Sequence, residues 1–452
     1  MSETRTAAVI GAGIAGTSAA YRLQQQGFET TLFETNDRVG GRIWSIWKGD
    51  FLMDLGTSAY LGTYRDAIEL VKEVGLSHEL AEWTATGAAI RGGKPYYFDY
   101  TRPLRTVLTT PYLSPRAKLL AIKIGLQVVK HRKSLGYDSY EDLQDIDDET
   151  VREWCLRELN DELLQYVGRP LVSGTWVADD ADTSVALMVW SVRNMLVQNI
   201  YNLTSGVVGL PNHLSTFVKT RLSHEVTNVT DNGTDVEVTF TTGGQQQTEH
   251  FDTCVIATPV EPAMDIYPQM DTNTREFYQS VSYRKLGSIC LGLSERPPDP
   301  ATYYLVPPVE DPDVIAVIAD HNKAPNRAPD HKGLLTVLLS HEYLERSEHL
   351  SDADVLDYAV DRAARYHPRV PATLEESAVV RWQRSVPTID RGKFGRISDY
   401  NRRLDRFARV QFASDADRIP GLNGGLVSGL GAATRLGEAV QTRRLTSRAR
   451  RA

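Results

Sequence analysis

The chain has 452 residues, 41% hydrophobic and 24% charged, with 50 basic against 58 acidic side chains and a formal charge of −8. Length sets a prior of two or three domains, and the composition excludes a disordered, collagenous or coiled-coil chain. The acidic balance excludes nucleic-acid binding by bulk charge. Cys155, Cys254 and Cys290 stand far apart without a CxxC spacing, which argues against a disulfide framework or a zinc site and for a reducing compartment. No signal peptide is read, and no uncharged apolar stretch reaches about 18 residues. The expectation is a soluble, cytoplasmic protein.

Ala7-Ala8-Val9-Ile10 predicts a short buried strand. The loop Gly11-Ala12-Gly13-Ile14-Ala15-Gly16 follows, then a helix over Thr17–Gln26 that Gly27 stops. Thr30–Phe33 is a second strand, closed by Glu34. Strand, GxGxxG, helix, strand, acid is the dinucleotide-binding unit. Gly11 permits the tight turn, Gly13 lets backbone approach a pyrophosphate, and Gly16 lets the helix pack on the strand. The helix start, with Ile14 and Ala15, offers free N–H groups and a positive dipole end to phosphate. Glu34 can accept from both ribose hydroxyls and disfavours a 2′-phosphate. The competing reading is a glycine-rich turn that binds no nucleotide. The motif itself does not choose between FAD and NAD.

The next segment, Asp37-Arg38-Val39-Gly40-Gly41-Arg42, does. Here the sequence resembles the flavin amine oxidase and protoporphyrinogen oxidase superfamily, nearer to its protoporphyrinogen oxidase-like members. That superfamily carries R-x-G-G-R just after the ribose acid. Paired glycines bring amides near phosphate, and Arg38 and Arg42 add charge-assisted contacts; otherwise they are solvated loop arginines. The resemblance implies FAD, and an α/β fold with a discontinuous Rossmann-like FAD-binding domain, a mixed-sheet substrate domain and an inserted helical lobe. The FAD-binding domain is assigned to 1–78, 205–260 and 393–440, the lobe to 79–204, the substrate domain to 261–392, and a basic tail to 441–452.

In chain order, Asp54-Leu55-Gly56-Thr57-Ser58 resembles the D-x-G segment that passes beside the flavin ring, so Gly56, Thr57 and Ser58 are cofactor candidates. Asp66–Val74 has helical spacing. Residues 79–204 hold Trp83, Trp154, Trp176 and Trp190 and read as helical, with an amphipathic helix over Val151–Leu164. Strands are predicted over Glu225–Val229 and Val236–Phe240, and the resemblance sets Val226 against the adenine. Ser288–Leu293, Val314–Ile318 and Gly333–Ser340 predict a mostly antiparallel sheet. Trp382 lies in a W-x-x-x-x-P segment and is the residue expected to face the flavin, shaping the pocket rather than moving protons. The family's F-A-G-D strand is matched at Phe412–Asp415, with Ser414 replacing glycine. Asp415 is expected at the ribityl or phosphate region, and the Leu426 and Val427 amides at the flavin's carbonyl edge.

Many amine oxidases of the superfamily carry a lysine that holds a water against the flavin. Ser288 stands at that position, and Lys285 is out of register. The implied reaction is therefore dehydrogenation of a C–N or C–C unit in a small cyclic or apolar substrate, with O2 as acceptor. The alternatives are an amine oxidase lacking the lysine, or a flavin-dependent isomerase or mutase without net oxidation. Arg91 and Arg169 are candidates for a substrate carboxylate, against a structural reading of each. Tyr60, Trp176, Trp190 and Tyr304 are cavity candidates, against ordinary core packing. His341-Glu342 begins an HExxH that Glu345 breaks, so no metal is expected.

Ser114–Lys133 carries Arg116, Lys118, Lys123, Lys130, Arg132 and Lys133 and no acid. Leu119, Ile122, Leu126 and Val129 share one helical face. The segment reads either as a helix docked on the lobe with its charges in solvent, or as a peripheral contact with an anionic membrane surface. The tail Gln441–Ala452, with five arginines, is expected to be disordered. The sequence does not set the oligomeric state.

Overall fold

The computed structural model describes residues 5–99, 101–137, 141–195 and 199–449. Strand β1 (Arg5–Ile10), helix α1 (Ile14–Gln25) and strand β2 (Phe28–Phe33) reproduce the expected unit, with β1 and β2 paired in parallel. A hairpin of β3 (Ser45–Lys48) and β4 (Phe51–Asp54) follows, then β5 (Tyr60–Leu61) and α2 (Arg65–Glu73).

The segment read as a helical lobe departs from expectation at its start. It opens with β6 (Leu80–Glu82), β7 (Thr86–Arg91) and β8 (Lys94–Asp99). The last two form a hairpin turned by Gly92 and Gly93, both at positive φ, as a two-residue turn requires. Helices then take over: α3 (Pro103–Thr109), α4 (Pro115–Lys130), α5 (Val151–Glu158), α6 (Asp161–Leu163), α7 (Arg169–Trp176) and α8 (Val185–Met195), before β9 (Ile200–Leu203). The helix predicted over Val151–Leu164 starts at the reciprocal cap of Thr150 and Glu153, but it ends at Leu159, which leaves the helical region (φ −116°, ψ −122°). Asn160 then caps a new turn.

The chain returns through α9 (Gly209–Ser215), β10 (Lys219–Arg221), an antiparallel sheet of β11 (Glu225–Asp231), β12 (Val236–Thr242) and β13 (Gln245–Phe251), and β14 (Thr253–Ile256). After α10 (Val260–Ile266) and α11 (Thr272–Gln279) come β15 (Tyr283–Leu293), β16 (Tyr303–Leu305), β17 (Val314–Ala319) and β18 (Gly333–Leu339). Then follow α12 (His341–Arg346), α13 (Asp352–Ala364), α14 (Val370–Thr373), β19 (Leu374–Pro387), α15 (Lys393–Arg403), β20 (Val410–Phe412) and α16 (Leu422–Ala449). The expected disordered tail is instead helical to Ala449, since extending an existing helix costs little for Arg, Leu and Ala. Arg450 and Arg451 lie outside the described residues.

Two sheets frame the site. A parallel sheet runs β10-β2-β1-β14-β20, so three distant stretches of chain build one nucleotide-binding layer. A seven-stranded mixed sheet runs β19-β15-β18-β17-β16-β7-β8, so the 86–99 hairpin belongs to its edge. One face of that sheet, with Ile289, Leu291 and Val337, packs on Leu344, Val355 and Ala359 of α12 and α13. The opposite face carries Leu286, Ser288 and Cys290. Around Cys290 it meets Phe51, Met53 and Leu55; around Leu286 it meets Val177, Ile315 and Trp382.

Candidate active site

The glycine loop is built for close approach. A Cβ on Gly16 would stand 1.8 Å from the Gly11 carbonyl oxygen, so only glycine lets α1 seat on the end of β1. The N-cap of α1, Gly13, offers no side chain, and no acid occupies the first turn. The first amides of α1, from Ile14 on, therefore keep their N–H groups for a ligand. Gly40 donates its N–H to the Ala12 carbonyl (2.8 Å) and bridges Gly13, so the R-x-G-G-R turn closes directly on the loop.

Glu34 is buried beside this loop. Its Oε2 accepts from the Ala12 N–H (2.7 Å), and its Oε1 from the Asn36 N–H (2.9 Å) and side chain (2.6 Å). Three of a carboxylate's roughly four acceptor sites are thus taken, leaving room for one ribose hydroxyl without rearrangement, not two. The two arginines are also partly engaged. Arg38 lies over the Trp44 ring at 4.2 Å and donates to the Gly41 carbonyl. Arg42 pairs with Asp415 at 2.7 Å and donates to the Ser385 carbonyl (2.9 Å). Val226 is buried at the start of β11, two residues beyond His224, whose N–H donates to the Glu34 carbonyl.

Ser414 accepts from the Ala416 N–H and caps the short turn that carries Asp415, which explains how serine serves where glycine is usual. The assignment of the Leu426 and Val427 amides is corrected. α16 begins at Leu422, and Gly425 already donates to Gly421, so the amides of 426 and 427 lie in the second turn and are spent within the helix. The open amides belong to Leu422, Asn423 and Gly424. Gly425 abuts Ile14, which sets the start of α16 against the start of α1.

The segment 54–58 sits between the two sheets. A Cβ on Gly56 would lie 1.9 Å from the Arg42 carbonyl oxygen and 3.4 Å from the Trp382 ring. The Thr57 N–H donates to that same Arg42 carbonyl, and Trp382 Nε1 donates to the Leu55 carbonyl (2.7 Å). Ser58 gives its carbonyl to Asn202. Trp382 is therefore fixed against the segment.

Asp54 anchors that segment in a way its sequence does not announce. It is fully buried and accepts from Lys323 Nζ (3.1 Å), Asn202 (3.0 Å), Ser45 (2.6 Å) and the Val207 N–H (3.2 Å), with Arg327 at 3.4 Å. Lys323 also holds Asp320 (2.5 Å), which accepts from Thr336 (2.6 Å). Burial alone pushes the Asp54 carboxyl up, but Arg327 and Lys323, with Ser45 and Val207, outweigh it and hold it at about 2. The available signal was Asp320-x-x-Lys323-x-x-x-Arg327 directly after the all-apolar β17.

Other candidates resolve as structural. Arg91 pairs with Glu162 (2.7 Å) and stacks on Tyr166; Arg169 pairs with Asp180 (2.7 Å). Tyr60 and Trp190 are fully buried, with their polar atoms on the Val207 and Gly136 carbonyls. Trp176 donates to Ser191, and Tyr304 lies in the core on the sheet face turned away from the 54–58 segment.

A glycine cradle, two converging helix starts and a backbone segment clamped under an apolar sheet define a flavoprotein of the discontinuous Rossmann type. Residues 14–437 match the family described as flavin containing amine oxidoreductase, and the chain belongs to that family. It is an FAD-dependent oxidoreductase. It is 30% identical to coproporphyrinogen III oxidase of Staphylococcus aureus over 39% of this chain, and the match spans only 37% of that relative. It is 21% identical to coproporphyrinogen III oxidase of Bacillus subtilis over 88% of this chain and 90% of that one. Among solved structures, cyclohexylamine oxidase of Brevibacterium oxydans superposes with a TM-score of 0.76 at 17% identity, covering 97% of this chain and 100% of the other. The residues present fit FAD: Gly13 has open space over its Cα, α1 lacks a side-chain cap, and Glu34 keeps a free acceptor site.

Two outcomes follow from this geometry. Glu34→Ala should weaken FAD retention by about ten- to a hundredfold, seen as flavin absorbance per protein after dialysis; full retention would refute the ribose assignment. Asp54→Asn should cost about 3 kcal/mol or more by leaving Lys323 and Arg327 short of their counter-charge, read as a lowered thermal midpoint. The Asp54 carboxyl is held below its unfolded value of 3.8, so its contribution is complete above about pH 4 and is lost as pH falls towards 2. The gap between wild type and Asp54→Asn should narrow over that range, by roughly 2 kcal/mol.

Proposed function

We propose that this enzyme dehydrogenates a C–N or C–C unit of a small cyclic or apolar substrate in the manner of a porphyrinogen oxidase, with O2 as acceptor. The observation that carries the reading is the sheet face opposite 54–58. There Ser288 is buried, with no hydrogen-bond partner for its hydroxyl among the described residues, and it is the residue that the resemblance matches to the lysine of amine oxidases. Its neighbours across the strands are Leu338 and Val380, and Leu286 faces Trp382. A surface of this kind favours apolar over cationic ligands. The match to a coproporphyrinogen III oxidase over most of both chains supports the same substrate class. Three free, buried cysteines suit a reducing cytoplasm.

Bound in the cradle, FAD supplies a two-electron acceptor for substrate hydrogen and a route for those electrons to O2, which leaves as peroxide. The chain's own part is positioning. The paired starts of α1 and α16 would favour negative charge on the cofactor, the 54–58 backbone would lie against its ring, and Trp382 with Leu286, Ile315 and Val177 would form an apolar wall that excludes water and orients the substrate.

Anaerobic mixing of the holoenzyme with coproporphyrinogen III, protoporphyrinogen IX, cyclohexylamine and a polyamine separates the readings. Bleaching of the flavin by a porphyrinogen alone is expected. Bleaching by an amine alone would overturn the proposal and leave an amine oxidase that works without the lysine. A flavin that none of these reduces would also overturn it, in favour of another desaturation substrate or of isomerisation.

A further inference from the structure

Helix α4 is apolar on two sides, and among the described residues only one of them is covered. Its inner side buries Ala117 and Ile124 against the lobe. On its outer side Leu119, Ile122, Leu126 and Val129 are 68%, 57%, 61% and 58% exposed. At 100° per residue these four fall within an arc of about 80°. Lys118 borders the arc on one side, and Lys130, Lys123 and Arg116 follow one another on the other. Leu108, 74% exposed at the end of α3, lies close to this side of α4, since Lys118 Nζ donates to its carbonyl (3.0 Å). Single exposed apolar side chains are ordinary on a protein surface; four in one row along a helix, with a fifth close by, are not.

The charge around this row has one sign. Between Asp99 and Asp138 the sequence contains eight Lys and Arg residues and no acid, in a chain whose formal charge is −8. Lys123 pairs with Glu158 (3.1 Å) and Arg102 with Asp99 (4.0 Å). Arg105, Arg116, Lys130 and Arg132 are exposed beside the row.

From this pairing of an outward apolar row with a one-signed cationic rim, we propose that the outer side of α4, with the end of α3, docks peripherally on an anionic lipid bilayer. Two copies of the chain meeting through this face would bring the exposed Arg105, Arg116, Lys130 and Arg132 of one against those of the other, whereas anionic headgroups neutralise them. Lys and Arg stems that border an apolar row can lie along it while their heads reach the headgroup layer. No helix among the described residues is long and apolar enough to cross a membrane, which agrees with a contact that lies on the surface. The contact goes beyond the proposed chemistry and does not depend on it.

The test is flotation of the holoenzyme with phosphatidylcholine vesicles and with vesicles that also contain phosphatidylglycerol. Binding is expected only with phosphatidylglycerol, and it should weaken as salt rises, because the cationic rim acts through a screened field. Ile122→Ser with Leu126→Ser should reduce flotation by about tenfold or more while flavin content and thermal midpoint stay at wild-type values. Arg116→Gln with Lys130→Gln should reduce it by about tenfold as well and flatten the salt dependence. Absence of flotation with phosphatidylglycerol, or flotation that the serine pair leaves unchanged, would overturn the proposal. So would a concentration-dependent dimer in light scattering that the serine pair dissolves without any vesicle binding, which would assign the face to a second copy.

Discussion

The candidate site is organised around a carboxylate sealed from solvent. Asp54 closes β4, and its charge is balanced by Lys323 and Arg327 from the loop after β17, while Asn202 and the Val207 amide approach from the chain returning to the nucleotide layer. None of these groups can be left buried alone, since an uncompensated charge in such a place costs several kcal/mol. Three segments far apart in sequence must therefore meet at one point. The position of the next residues, Leu55 to Ser58, is inherited from Asp54. A well-packed apolar cluster could be as stable. What the ionic one adds is direction, because only one arrangement satisfies Asp54 and Asp320 through the same ammonium group. We read it as the device that registers the substrate sheet on the nucleotide-binding layer.

The cofactor's phosphates depend on a second, quite different constraint: how near two helices can come. A Cβ on Gly429 would stand 2.1 Å from the Ala15 carbonyl oxygen, and Ser18 shares its hydroxyl with the carbonyl of Leu426. Small residues along both helices let their axes approach until the two amino-terminal ends lie side by side. One helix start would suffice to attract a phosphate. Two starts, with Arg42 neutralised on Asp415, would favour a ligand that carries more negative charge than one phosphate.

The sequence is most transparent where a constraint is local. The first strand, the glycine loop, Glu34 and the R-x-G-G-R turn lie within some forty residues, and each residue type there answers a steric or electrostatic demand of its neighbours. The strands β15, β17 and β18 are likewise legible as apolar runs. The hairpin at 86–99 carried a readable sign, Gly92-Gly93 between alternating runs, but the tryptophans on either side favour a helical reading of the whole segment. The Asp54 cluster had almost none. Lys323 is 269 residues from its partner, and a charged residue after a strand looks the same whether it faces solvent or another charge. The start of α16 was misplaced by one turn for a related reason. The glycines at 424 and 425 suggest a loop, yet they are there for proximity to Ile419 and Ile14, inside a helix already begun.

Val177 shows what the substrate side requires. It ends α7 in the left-handed region, at φ 54°, where a β-branched residue is strained and glycine is the usual choice. Its own N–H and that of Ala178 close the helix on the Ser173 and Val172 carbonyls, so the backbone geometry is that of an ordinary helix stop. Glycine would satisfy that geometry without strain of about 1–3 kcal/mol. The isopropyl group must therefore repay its cost through what it touches, and it touches Leu286, Ile315 and the cluster that holds Trp382. Those are the side chains on the sheet face across from 54–58, next to the unpartnered hydroxyl of Ser288. An apolar wall maintained at the expense of backbone strain is what the proposed reading requires of this face, and the same contacts bind α7 to the sheet.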